Sequence, residues 1–148
     1  MLNLLLFFHL AAAILWIGGM AFMLLALRAP LTAQLPPPQR LPLMAAVLGR
    51  FFAVVGASIA VLLGSGLSLW LRAGTGSAPP GWHAMLGLGL VMMLIFGHIF
   101  FSPFRRMKRA VAAADWPEGG KLAARITLLA KINLGLGWLA IAAVMLWR

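Results

Sequence analysis

The sequence predicts an all-α fold: an integral membrane four-helix bundle of up-down-up-down topology, with the N-terminus and the C-terminus both outside. Of its 148 residues, 64% are hydrophobic and only 9% are charged, whereas about a quarter of the residues in a soluble domain are charged. Four stretches are also long and almost free of charge, which is the signature of membrane-spanning helices. We therefore expect a single transmembrane domain over residues 1–148.

Charges and helix-breaking residues set the bounds of the four predicted helices. The first spans about residues 2–27 and carries no charge. Its apolar part is longer than the roughly 7–15 residues of a cleavable signal peptide, so we expect it to stay as a spanning helix. A proline-broken connector follows, then a short outer loop rich in Gly and Pro, and finally a basic loop broken at Pro117. These breaks place the other helices at about 45–72, 82–104 and 123–147.

Small residues along the predicted helices indicate close packing, because glycine and alanine let membrane helices approach one another. The candidates for such contacts are Gly18 with Gly19, Ala57 with Ala60 and Gly64, and Gly135 with Gly137.

The net charge of +10 reports topology and excludes a nucleic-acid partner. The basic residues cluster in the first and third connections, and short loops rich in Lys and Arg stay in the cytoplasm. We therefore predict that these two connections are cytoplasmic, and we expect the lipid bilayer, with no nucleic acid, as the partner of the chain.

The composition also restricts the chemistry. The chain has no cysteine, so disulfides and thiolate metal sites are excluded. Its two acidic residues, Asp115 and Glu118, both fall in a predicted loop. No nucleophile–base pair or paired carboxylate is present, which disfavours hydrolytic chemistry and gives no catalytic residue. Handling of a metal ion or of haem by His and Met is what remains.

Polar residues inside the membrane are the first candidates for function, because burying them in hydrocarbon is costly. His9, Trp16, Met20 and Met23 fall within about 40° of one line on the first helix, so this stripe is predicted to face the interior. His9 would lie roughly 9 Å from the outer end. The alternative is a structural histidine bonded to an oxygen, with methionine as packing filler.

The third predicted helix carries two further candidate ligands. His83 lies at its outer end beside Trp82, where an interfacial anchor is an equal interpretation. His98 lies about 22 Å deeper, where a structural role is equally consistent. A His9–His83 site in the outer half is the better geometric prediction, and a His9–His98 site stays open. Met93 joins Met20 and Met23 as a candidate soft-metal ligand.

Two polar residues on the fourth predicted helix complete the candidate set. Lys131 is close enough to the cytoplasmic end for its side chain to reach the interface. Asn133 lies deeper and is expected to find a hydrogen-bond partner on another helix. It is equally a candidate to support a histidine by fixing which ring nitrogen faces a metal.

Three segments of the chain are informative together: "HLAAAILWIGGMAFMLLALRAPL", "PPPQRLPLMAAVLGRFF" and "HIFFSPFRRMKRAVAAADWPEGG". They resemble the copper resistance protein D (CopD) family of bacterial inner-membrane proteins, and the first, with His9, Trp16, Gly18 and Gly19, is the most specific. The resemblance covers nearly the whole chain and implies a role in copper uptake or homeostasis at the inner membrane, in a short single-domain form. It further implies copper ions as ligands and, as partners, a periplasmic copper-binding protein or a second copy of the chain.

A second resemblance concerns the segment "WHAMLGLGLVMMLIFGHIFFSPFRRM", which is similar to a helix of the HemJ-type protoporphyrinogen oxidases. The matching residues are His83 and His98, and His9 also fits. This more distant resemblance implies haem b and a redox enzyme or electron-transfer protein. The sequence therefore leaves two alternatives, copper as the preferred ligand and haem b as the second, with an oxidoreductase only if haem b is bound.

Overall fold

The computed structural model describes residues 1–74 and 78–147, and within these ranges it contains helices and no strand. Two short π-helical segments interrupt the α-helices. In chain order the elements are α1 (Leu2–Phe22), a first π segment (Met23–Leu27), α2 (Arg28–Gln34), α3 (Pro37–Ala73), α4 (Pro80–Ile99), a second π segment (Phe100–Phe104), α5 (Arg105–Ala112) and α6 (Trp116–Leu146).

Four continuous helical stretches in the described part of the chain are long and apolar enough to cross a membrane: Leu2–Gln34, Pro37–Ala73, Pro80–Ala112 and Trp116–Leu146. The shortest has 31 residues. At 1.5 Å per residue such a helix is about 46 Å long, which exceeds the roughly 30 Å of bilayer hydrocarbon. The predicted fold class, an all-α membrane bundle, is confirmed.

The helices are longer than the sequence predicts. The expected connector after the first helix is itself helical on both sides, and the break is confined to Leu35 and Pro36. Helix α3 begins at Pro37, not near residue 45, because proline lacks only an N–H that the first turn leaves unpaired. Likewise, α6 begins at Trp116, not near residue 123. There the Asp115 carboxylate accepts a hydrogen bond of 3.1 Å from the Glu118 backbone N–H.

Both π segments lie next to a proline. Proline cannot donate to the carbonyl four residues back, and its ring crowds that carbonyl. Pro30 follows the first π segment, and Pro103 lies inside the second. The Arg28 N–H donates to the Met23 carbonyl, five residues back, which is the wider turn of a π-helix. The wider turn lets the chain pass each proline without ending the helix.

The bundle consists of two hairpins. Helix α1 packs along α3, and α4 packs along α6, while α6 also contacts α1 and α3. We call the end with the α2–α3 and α5–α6 connections the basic end. The opposite end, which carries the start of α1 and the last turn of α6, is the terminal end. There the Gly81 N–H donates to the Trp147 carbonyl at 3.0 Å and closes the second hairpin.

The core has two parts. Near the basic end, Phe52 packs edge-to-face against Phe96, Phe100 and Phe104, with ring centroids 4.8–6.3 Å apart. Further toward the middle, a second cluster contains Trp16, Met20, Val55 and Met92. Trp16 meets Phe96 edge-to-face at 6.3 Å, so the two parts are continuous.

The small residues fulfil the packing prediction at only two positions. A Cβ added at Gly19 would collide with the Phe51 ring, and one at Gly137 would lie 3.2 Å from Ile17. At Gly18, Gly64 and Gly135 an added Cβ would meet no described atom within 4 Å. Ala57 and Ala60 are exposed on the outside of α3. Close contact therefore occurs at single glycines facing a large side chain, and the predicted small-residue rows are not buried.

Candidate functional site

His9 lies in the interior of the first hairpin, bonded to the neighbouring helix. It is buried, with 8% of its surface exposed. Its Nδ1 atom lies 2.9 Å from the Ser65 hydroxyl oxygen on α3. Trp16 and Met20, further along the same face of α1, are buried, and Met23 is half-buried. The stripe predicted to face the interior does so.

The bonds of Ser65 determine the proton on His9. The Ser65 hydroxyl lies 2.6 Å from the Val61 carbonyl, to which it donates its one hydrogen. The hydroxyl oxygen can then only accept from His9. We infer that Nδ1 carries the imidazole proton and donates it to Ser65, which leaves the lone pair on Nε2. A hydrogen bond at one ring nitrogen is how proteins orient the other nitrogen toward a ligand.

The Nε2 atom of His9 is the unpaired member of this arrangement. It is buried and has no hydrogen-bond partner among residues 1–74 and 78–147. A buried acceptor without a partner costs about 1–3 kcal/mol. Intramembrane polar groups of this kind mark functional sites by default. A neutral imidazole with a free lone pair on one ring nitrogen is chemically able to bind a metal ion.

Gly66 shapes the space beside the imidazole. A Cβ at this position would lie 3.1 Å from His9 Cε1 and 3.6 Å from Nδ1. Such an approach is closer than ordinary van der Waals contact, so a larger residue would push the ring. Ser65 thus positions the His9 ring by a hydrogen bond, and Gly66 leaves the space that the ring occupies.

The other two histidines have different surroundings. His83 is exposed and meets Trp70 edge-to-face at 6.0 Å. His98 is exposed as well. Because Ser65 and Trp70 are five residues apart, they point about 140° from one another around α3. The structure therefore sets His9 and His83 against different faces of α3, and the shared ligand that the sequence predicts for two of the histidines stays a prediction. In the described part of the chain, no three His, Asp or Glu residues form a group able to hold a metal.

A cavity of about 60 Å³ lies deeper in the bundle, toward the basic end. Met20, Met23, Met44 and Trp16 are among the side chains that line it. Met93, the third methionine predicted as a soft-metal ligand, is half-buried against the core cluster around Trp16. The structure thus brings Met20 and Met23 together with a methionine of α3.

Asn133 and Lys131 lie on different faces of α6, one buried and the other exposed. Asn133 is 1% exposed and lines the cavity, and its Oδ1 has no hydrogen-bond partner in the described ranges. The residue bonded to His9 is Ser65, and the predicted role of Asn133 as a bonded or supporting residue stays a prediction. Lys131 is exposed on the outside of α6, two residues away. At 100° per residue, these two side chains point about 160° apart, so only Asn133 faces inward.

Three residues of this region were missed by the sequence analysis: Ser65, Gly66 and Met44. Ser65 is a polar residue in the middle of an apolar helix, so the rule that selected His9 and Asn133 applied to it as well. Gly66 and Met44 carry no such signal, because glycine and methionine are common in membrane helices.

The comparisons with known proteins point to one family. The family profile of copper resistance protein D matches residues 45–147, which comprise most of α3 and all of α4, α5 and α6. The match includes Ser65, Gly66, Met93 and Asn133, while His9, Trp16, Met20 and Met23 precede it. No curated protein sequence and no solved structure matches the chain.

Proposed function

Because the chain belongs to the copper resistance protein D family, we propose that this multi-pass membrane protein binds copper within the bilayer and passes it along the bundle. His9 is the ligand at the terminal end, and copper is the transported substrate. The bacterial inner membrane is the proposed location. A periplasmic copper-binding protein or a second copy of the chain is the proposed partner.

One observation carries this proposal: the buried Nε2 of His9, which has a lone pair and no partner in the described residues. Imidazole is a good copper ligand, and thioethers favour Cu(I) over harder ions. Both acidic residues are occupied at the basic end, since Asp115 caps α6 and Glu118 pairs with Arg106 at 2.9 Å. Neutral ligands of this kind suit a monovalent ion, because they add no charge that a divalent cation would require.

Neither of two pockets in the bundle has both the size and the histidine ligand that haem b would need. Pockets that enclose organic ligands typically have about 300–1,000 Å³, and the cavity near Met20 has about 60 Å³. A larger groove of about 490 Å³ opens between α3 and the second π segment. The residues that line it include Phe100, Arg50 and Lys108 but, in the described chain, no histidine.

The proposal is tested by Cu(I) binding to the detergent-purified protein, measured under reducing conditions by competition with a chromophoric chelator. We expect His9→Ala to abolish the tightest binding event, and His98→Ala, a matched exposed histidine, to leave it within about twofold. An unchanged affinity in His9→Ala would contradict the proposal. An absorption spectrum of the same sample, oxidised and then reduced, should lack a Soret band; a strong one would favour haem b.

A further inference from the structure

We propose that the cavity lined by Met20, Met23, Met44 and Asn133 is a second copper site, which takes Cu(I) by thioether coordination. This inference rests on the proposed function, which it deepens by adding a second binding site toward the basic end. Cu(I), or its analogue Ag(I), is the ligand class that such a site would bind.

The three methionines line the cavity from two helices. Met20 and Met23 are three residues apart, so they lie on one side of the first helical stretch. Met44 comes from α3, the helix that packs along α1. All three side chains line the same cavity, which at about 60 Å³ has room for a metal ion. Methionines that served as packing filler would be expected to close such a space, since this side chain adapts to irregular gaps.

A buried polar residue, Asn133, lines the same cavity. Asn133 is among the most buried residues of the protein, and its Oδ1 is without a partner in the described ranges. The neighbouring hydroxyl of Thr127 is different, because it donates to the Ala123 carbonyl at 2.9 Å. Asn133 is thus the polar group of this cavity with an unused acceptor. A metal ion, or a water bound to it, satisfies that acceptor.

The charges around the cavity make the binding weak and selective. Among the described residues that line it there is no carboxylate, and Arg28 contributes a positive charge at the basic end. A divalent cation would be repelled without compensation, whereas a monovalent soft ion is held by the thioethers alone. Weak binding is what a transport route requires, because an ion must leave each site as readily as it enters.

The cavity and His9 are separate sites on one line. Met20 lies eleven positions after His9 on α1, which is about 16 Å along the helix axis. Trp16 lies between them and also lines the cavity. A single ion therefore cannot be held by His9 and Met20 together, so the two sites can be removed independently.

The test is the number of Ag(I) or Cu(I) ions bound per chain by the purified full-length protein in detergent. We expect two for the wild type, with the second bound at least about tenfold more weakly. The triple variant Met20→Leu/Met23→Leu/Met44→Leu keeps the volume of the side chains and should lose only the weaker ion. Met107→Leu replaces a buried methionine outside the cavity and should retain both.

The outcomes separate the two proposals. If the triple variant keeps both ions, or if the wild type binds a single ion that only His9→Ala removes, the cavity site is overturned. If the triple variant loses one ion while His9→Ala loses none, the cavity site stands and the role of His9 is wrong. A wild type that binds no ion overturns both.

A second variant guards against a folding defect in the triple variant. Asn133→Leu removes the unpartnered oxygen and should keep the melting temperature at or above that of the wild type, because replacing an unsatisfied buried group by an apolar one is neutral or stabilising. We expect this variant to lower the affinity for the second ion by at least about fivefold. A stable Asn133→Leu protein with unchanged binding of the second ion would exclude Asn133 from the site.

Discussion

The two hairpins of the bundle place their polar side chains in opposite ways. In the α1–α3 hairpin, His9 and Ser65 are buried against each other. In the α4–α6 hairpin, His83, His98 and Lys131 are all exposed. The three histidines were equivalent candidates by residue type, yet only one presents a buried, unpaired nitrogen. The face of the helix on which an ionisable residue lies therefore decides whether it is buried, and its presence in a spanning segment does not.

The glycines repeat this contrast. In the first hairpin, Gly66 leaves room for the His9 ring, the proposed copper ligand. In the second hairpin, Gly81 allows the backbones of α4 and α6 to touch at the terminal end, where an added Cβ would collide with the carbonyl oxygen of Ala143. Gly66 therefore affects the position of the His9 ring, whereas Gly81 allows α4 and α6 to pack closely. Substitutions at the two should separate binding from stability.

The largest expected effect is on the stability of the second hairpin. Gly81→Ala forces a methyl group onto backbone atoms that cannot rotate away, so we expect a loss at the upper end of overpacking costs, about 3 kcal/mol. Gly87→Ala, on the same helix, meets no described atom within 4 Å and should be neutral. Thermal unfolding in detergent measures both. Equal melting temperatures would show that the α4–α6 contact is not as close as described.

The next largest effect is expected on Cu(I) affinity, through the hydrogen bond that holds the Nδ1 proton of His9. Ser65→Ala removes the acceptor of the Nδ1 proton, and loss of such a supporting bond typically costs 10–100-fold in metal affinity. Ser68→Ala is the matched control, because Ser68 donates to the Gly64 carbonyl at 2.6 Å and, like Ser65, belongs to α3. We expect Cu(I) affinity to fall about 10–100-fold in the first variant only. A similar fall in both would mean that the helix, and not the histidine, was disturbed.

The smallest effect is expected at Gly66. In Gly66→Ala the new methyl group must shift the His9 ring by a few tenths of an ångström, because its Cβ would lie 3.1 Å from Cε1. We expect about a threefold to tenfold loss of Cu(I) affinity, since an overpacked contact costs on the order of 1 kcal/mol. Gly64→Ala, two residues away, should have wild-type affinity. The two variants differ only in whether the methyl group faces His9, so equal affinities would remove Gly66 from the site.

The fold was predictable because it depends on a strong signal. Four apolar stretches longer than the bilayer thickness permit little besides a helical bundle. The ends of the helices were harder to predict. The prolines at positions 36–38 indicated a connector, yet α3 begins at Pro37. At Pro30 and Pro103, the neighbouring π segments let the helix continue. A proline restricts the local backbone, but packing against the other helices decides whether the helix ends there or continues through a wider turn.

The candidate site was predictable only in part. Helical periodicity placed His9, Trp16 and Met20 on the inward face, because that face follows from 100° per residue within one helix. It could not identify Ser65 as the partner of His9, since the register between α1 and α3 depends on contacts such as Gly19 with Phe51. The exposure of His83 and His98 has the same origin: the rotation of α4 is set by its packing on α6.

Nitrogen-15 NMR of the histidine-labelled protein, before and after one equivalent of Ag(I), tests directly whether His9 is the ligand. We expect His9 to have its proton on Nδ1 and a bare Nε2, and silver coupling then to occur at Nε2 while Nδ1 stays protonated. A His9 ring protonated at Nε2, or silver coupling at His83 or His98 in its place, would contradict this expectation.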